Sequence, residues 1–205
     1  MKKIILTAVA VFGFAFANAQ DTRYGFKGGL NLSNLSGDIE ENSTKLGFHL
    51  GGFAQIKVSD KFSIQPELLY SEQGTSFNNV DADFNGSIYT GDVKLKLSYI
   101  NIPVMFKFYV DKSFHFEAGP QLGILTTAKT ATKISGFDQE VKQDAKDFFK
   151  STDFGLNFGV GYDFTNHLFA SFRYNLGLSN IAKTVQGDDS KVNTSVFMFS
   201  LGYKI

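Results

Sequence analysis

The 205-residue sequence predicts an all-β fold: an eight-stranded antiparallel up-and-down transmembrane β-barrel, with short turns at one rim and long loops at the other. Three observations carry this expectation. Beyond residue 20, apolar side chains recur at every second position in eight separate stretches, the period of a pleated strand with one apolar face. The links between stretches alternate between three-residue turns and long segments, the two-rim asymmetry of a membrane-spanning barrel. The face opposite the apolar one is rich in glycine, at 25, 29, 47, 51, 119, 123, 155, 159, 161 and 177. Small residues suit the crowded inside of a narrow barrel, whereas on a solvated outer face they weaken a strand without return.

Residues 1–19 are expected to be a signal peptide. Met1-Lys2-Lys3 is a positive start, residues 4–17 are apolar, and Ala17-Asn18-Ala19 has small residues where a signal peptidase reads. The apolar run is shorter than the roughly 20 residues a membrane-crossing helix needs, so residues 20–205 are expected to form the barrel domain. The absence of Cys excludes a disulfide scaffold and thiolate metal sites. Twenty basic and 20 acidic side chains leave no net charge, which argues against a nucleic-acid partner. A 20% charged fraction with 15% aromatics is too apolar for a disordered chain.

The stretches follow in order. The first has Tyr24, Phe26, Leu30 and Leu32 on one face; the second has Leu46, Phe48, Leu50, Ala54, Ile56 and Val58. The turn Ser59-Asp60-Lys61 leads to Phe62, Ile64, Pro66, Leu68 and Tyr70. The fourth carries Ile100, Ile102, Val104, Phe106 and Phe108 and extends back to Lys94, with a phase slip near Tyr99-Ile100 read as a bulge. After Asp111-Lys112-Ser113 come Phe114, Phe116, Ala118, Pro120, Leu122 and Ile124. The sixth has Phe154, Leu156, Phe158, Val160, Tyr162 and Phe164. Thr165-Asn166-His167 then turns into Leu168, Ala170, Phe172, Tyr174, Leu176 and Leu178. The last runs Phe197, Phe199, Leu201, Tyr203 and Ile205, an apolar comb similar to the signal read by the barrel-assembly machinery.

Alternation alone also fits a soluble sandwich or a lipocalin-like barrel with its apolar face inward. The inverted case is favoured by the inward glycines, by the unequal rims, and by apolar segments of about ten residues, the length of a tilted membrane strand. Tyr24, Tyr162 and Tyr203 toward the short-turn rim, with Tyr70 and Tyr99 toward the long-loop rim, read as two interfacial girdles. Tyr109 is out of phase.

These stretches resemble a known family. Gly25-Phe26-Lys27-Gly28-Gly29-Leu30-Asn31-Leu32-Ser33, Gln65-Pro66-Glu67-Leu68, Tyr99-Ile100-Asn101-Ile102-Pro103-Val104, Gly119-Pro120-Gln121-Leu122-Gly123, Asp153-Phe154-Gly155-Leu156, Gly159-Val160-Gly161 and Arg173-Tyr174-Asn175-Leu176-Gly177-Leu178-Ser179-Asn180-Ile181 recur in order over nearly the whole mature chain. The chain is similar to the small outer-membrane β-barrel domain of Gram-negative bacteria, porin-like or PorT-type. The resemblance implies an outer-membrane location with short periplasmic turns and long extracellular loops. It implies little about activity.

The candidate constellation is internal. Counted from the short-turn rim, Lys27, Glu67, Lys107, Glu117 and Arg173 fall within a few residues of one level on the polar face. A Val110–Phe114 hairpin pair would set Lys107 directly across from Glu117, where opposite charges attract. The expectation is an ionic network that fills the interior, since eight-stranded barrels are packed with side chains; the alternative is a selective conduit. His49, His115 and His167 are scattered, so no metal site is expected. His115 and Glu117 have no serine placed beside them, so no catalytic residues and no cofactor are expected.

The long loops are the expected contact surface. Val141, Ala145, Phe148 and Phe149 have the spacing of a short amphipathic helix in loop 126–151. Loop 74–93 is expected to fold back as a strand extension, and loop 33–45 is acidic through Asp38, Glu40 and Glu41. The functional reading is a structural or interaction barrel that sits in outer-membrane lipid, meets the assembly machinery through its last strand and offers loops 74–93 and 126–151 to a protein partner. The alternatives, in order, are a narrow small-solute channel, a soluble exported binding barrel and a barrel enzyme.

Overall fold

A computed structural model of the chain describes residues 22–38, 42–84, 87–134, 140–183 and 191–205. The expected signal peptide, Glu40 and Glu41 lie outside the described residues. The strands are β1 (Thr22–Gly37), β2 (Ser43–Ser59), β3 (Phe62–Phe84), β4 (Ser87–Tyr109), β5 (Phe114–Ile134), β6 (Glu140–Asp144), β7 (Thr152–Asp163), β8 (Leu168–Gly177) and β9 (Val192–Lys204). Every pairing is antiparallel. Eight of the strands close a ring in the order β1-β2-β3-β4-β5-β7-β8-β9, with β9 back on β1 from Gly25↔Lys204 to Gly37↔Val192. Closure leaves the ring without a free edge. The ninth, β6, adds onto β5 above the ring.

The faces divide as period two demands. Phe158, Phe172 and Phe199 are 49%, 37% and 50% exposed, and the final comb from Phe197 to Ile205 points outward, while Arg173 is 1% exposed. Grease therefore lies outside and charge inside, the inverse of a soluble barrel. No helix among the described residues is long and apolar enough to cross a membrane. Aromatic pairs gather near the short turns: Phe26–Tyr203, Phe62–Phe106 and Tyr162–Phe164, with centroids 5.9, 6.2 and 5.4 Å apart. His167 stacks on Tyr203 there.

Side-chain oxygens close the short turns. Asp111 Oδ1 accepts the backbone N–H of Ser113 and of Phe114, both at 2.7 Å, and those bonds hold its carboxyl below the usual carboxylate range. Thr165 Oγ1 accepts from the N–H of His167 and Leu168 at 3.1 and 2.9 Å. Val110 N–H donates to Phe114 O at 3.0 Å, which fixes the β4–β5 register.

At the long-loop rim three expectations are corrected. Residues 141–149 do not form a helix. Instead β6 pairs with residues 129–133 of β5, and a single 3-10 turn follows at Lys146–Phe148. A helix this short is marginal on its own, whereas the edge of β5 offers backbone partners, as in the 2.9 Å bond from Ala145 N–H to Ala128 O. The register shift lies beside Tyr99, but its extra residue is on β5: Ser98 pairs with Thr127 and Tyr99 with Leu125. β4 keeps its phase, so Leu95, Leu97 and Tyr99 all turn inward. Tyr99, 1% exposed, is thus a core residue and not a girdle residue. Loop 74–93 extends β3 and β4 as a hairpin up to the Phe84↔Ser87 pair.

Inward Leu35, Leu95, Leu97, Tyr99, Leu125, Ala128 and Val192 meet Ala145 and Ile181 from the segments that fold over the mouth. Phe149 and Ala182, joined by an isolated antiparallel bridge, pack against them. The interior at the long-loop end is therefore an apolar core, assembled in part by the inward residues of β4.

Candidate functional site in the barrel interior

Below that apolar cap the interior is polar. Arg173 projects from β8 and spans two carboxylates. Its Nη1 and Nη2 donate to Glu67 Oε2 and Oε1 at 2.8 and 2.7 Å, and its Nε and Nη2 donate to Glu117, the latter at 3.1 Å. The planar guanidinium fork suits this double engagement. Lys27 Nζ on β1 lies 2.7 Å from Glu67 Oε2. Lys107, registered opposite Glu117, lies 3.6 Å from Glu117 Oε2. All five side chains are buried. Gln65 Nε2 donates to Glu67 Oε1 at 2.7 Å, and His115 Nε2 stands 3.7 Å from Glu117 Oε2. Gly159 makes room for this arrangement, since a Cβ there would sit 2.8 Å from Arg173 Cγ.

Toward the short-turn rim lies an aromatic pair that alternation does not reveal. Phe53 and Phe169 point inward and meet edge to face, with centroids 5.5 Å apart. Each faces a glycine in register, Gly25 and Gly202, where a Cβ would overlap the ring. Phenylalanine opposite glycine across two strand pairs is the sequence signal that could have found them. The ammonium groups of Lys107 and Lys204 stand 5.2 and 5.3 Å from the Phe169 centroid, within cation–π reach. Lys204 Nζ also pairs with Asp163 Oδ2 at 2.6 Å. Beneath is an open vestibule of about 1060 Å³ whose lining includes Gln55, Ser63, Tyr109, Asp163 and Lys204.

Above the ionic level, His49 reaches Asn31 Oδ1 at 2.7 Å and Ser200 Oγ at 2.8 Å, and Asn31 Nδ2 donates to Ser71 Oγ at 3.0 Å. Beside them Leu69, Val196 and Met198 form a small apolar cluster. Asn175, Asn157 and Gln121 form a chain of amide bonds at 3.1 and 3.2 Å. The three histidines are not brought together: His49 and His115 are internal at different levels, and His167 sits in a turn. Among the described residues no three His, Cys, Asp or Glu are grouped to hold a metal ion.

A model of the outer membrane protein beta-barrel domain family matches residues 18–183. The chain belongs to this family. It is an outer-membrane β-barrel, and the apolar outer face is the one in contact with lipid. Among solved structures it is similar to the attachment invasion locus protein Ail of Yersinia pestis, solved in complex with the heparin analogue sucrose octasulfate. The TM-score is 0.51 at 13% identity, over 91% of this chain and 100% of that one. It is also similar to the Neisserial surface protein NspA, with TM-score 0.49 and 15% identity over 89% and 96% of the chains. OprG of Pseudomonas aeruginosa gives 0.40 and 14% over 90% and 96%. At these identities the likeness is one of fold. No curated protein matches the sequence.

Proposed function

We propose that this outer-membrane barrel is a structural and interaction module that displays its extracellular loops and conducts no solute. The supporting observation is that its interior is closed twice, by the ionic cluster around Arg173 and by the apolar cap around Leu97 and Ile181. An ion crossing the barrel would have to break a bidentate ion pair and then shed its hydration in an apolar constriction. Lys27, Glu67, Lys107, Glu117 and Arg173 act here as an interior brace. Catalysis has no place in this reading: among the described residues no serine hydroxyl hydrogen-bonds either ring nitrogen of His115.

Purified, folded protein in planar bilayers is expected to give no steady current. Steady ion conductance would overturn the proposal in favour of a small-solute channel. The same reading holds that export removes residues 1–19, that the terminal comb engages the assembly machinery, and that the extended hairpin of 74–93 and segment 126–151 contact a protein partner. The mature chain isolated from membranes is expected to have the mass of residues 20–205; retention of the leader would refute cleavage after Ala19.

A further inference from the structure

The outward face of the sheet changes character just above the lipid belt. On β4 the apolar series ends at Ile100, and beyond the buried Ser98 the next outward residues are Lys96 and Lys94; on β5 it ends at Ile124, followed beyond the bulge by Lys129. Lys96 is four residues past Ile100, about 13 Å along a strand rising roughly 3.3 Å per residue. With strand tilt, that places its ammonium at the level of lipid headgroups.

The register makes this a cluster. Lys96 lies directly opposite Lys129, a like-charge pair that disfavours strand pairing unless something compensates it. Lys94 lies opposite Ala131, and Ala131 lies opposite Lys142 on its other side. Four exposed lysines therefore surround one small residue. The neighbouring carboxylates compensate only in part. Glu72 is shared by Lys45 and Lys96, leaving one positive charge of the two uncancelled. Asp144 lies opposite Lys129, and the more distant Lys133 sits between Asp92 and Glu140 in register, so the six lysines Lys45, Lys94, Lys96, Lys129, Lys133 and Lys142 meet four acidic residues.

We propose that the outward face around Ala131, formed by Lys94, Lys96, Lys129 and Lys142, binds phosphate groups of outer-leaflet lipids. The apolar belt immediately below sets acyl chains against the wall, and the lysines reach the phosphates that such lipids carry at that height. The inference rests on the outer-membrane location and is independent of whether the interior conducts.

The test titrates protein folded in zwitterionic detergent with bis-phosphorylated lipid A, comparing wild type with the triple variant K94Q/K96Q/K129Q. Each lysine near an anionic surface contributes about fivefold in affinity, so the triple variant is expected to bind roughly 100-fold more weakly. The control K61Q/K112Q, at the opposite rim, is expected to match wild type. Heat-shifted gel mobility reports that each variant is folded. Wild-type affinity itself is expected to fall steeply with added NaCl, a result that does not depend on any variant. Salt-independent binding, a change below about threefold in a folded triple variant, or equal affinity for dephosphorylated lipid A overturns the proposal. Inorganic phosphate or a soluble polysulfated sugar competing as well as lipid A overturns the lipid assignment and points to a soluble polyanion.

Discussion

Arg173→Ala is expected to lower the unfolding free energy by about 3–5 kcal/mol, the usual cost of removing one partner from a buried ion pair. The loss reflects what stays behind as well as the four hydrogen bonds removed. Glu67 and Glu117 would face each other, with Lys27 at 2.7 Å from the first and Lys107 at 3.6 Å from the second as their cationic neighbours. Both carboxylates are fully buried, so water cannot replace the guanidinium without opening the barrel. Arg173→Lys is expected to recover part of the loss, since one ammonium cannot bridge both carboxylates as the fork does. Glu117→Ala is expected to destabilise too, because Arg173 keeps only its Glu67 bonds. Urea unfolding of detergent-folded protein, followed by tryptophan-free tyrosine fluorescence or by heat-shifted gel mobility, measures these differences. Unchanged midpoints for both Arg173→Ala and Glu117→Ala would defeat the idea of a brace.

What the sequence makes legible here is governed by parity and by turn length. Period two assigns each residue to a face, and a hairpin closed at Val110 and Phe114 sets the pairing along β4 and β5, so the face and level of Lys107, Glu117 and Arg173 need no coordinates. Which atoms meet depends on depth across the barrel, and that is invisible in one strand. Phe53 and Phe169 were hidden because each falls on the polar parity, and only the glycines opposite them show why an aromatic ring fits inside. Leu95, Leu97 and Tyr99 misled in the opposite sense. Their apolar character looks like a slipped outward face, yet β4 holds its phase and the interior itself turns apolar toward the long-loop end. Segment 141–149 misleads because four residues can satisfy helical spacing by chance, while a free strand edge offers backbone hydrogen bonds at once.

Phe158→Arg is expected to cost about 2–4 kcal/mol when the protein is folded into a bilayer, and Tyr162→Arg no more than about 1 kcal/mol. Both residues lie on β7, both point outward and both are about half exposed, at 49% and 47%, so burial within the protein does not separate them. Depth does. Phe158 is the middle of the five outward residues Phe154, Leu156, Phe158, Val160 and Tyr162, whereas Tyr162 is at the short-turn rim, where an arginine can reach water and headgroups. In lipid the penalty must therefore rise toward the centre of the strand. In a soluble fold either arginine would be tolerated on the outer face, and the two variants would behave alike. Reversible unfolding in phosphatidylcholine vesicles distinguishes the cases. Equal and small effects at both positions would mean that the outer face of β7 does not sit in hydrocarbon, and the assignment of every other strand's face would fall with it, because the closed antiparallel register ties β7 to β5 and β8 residue by residue.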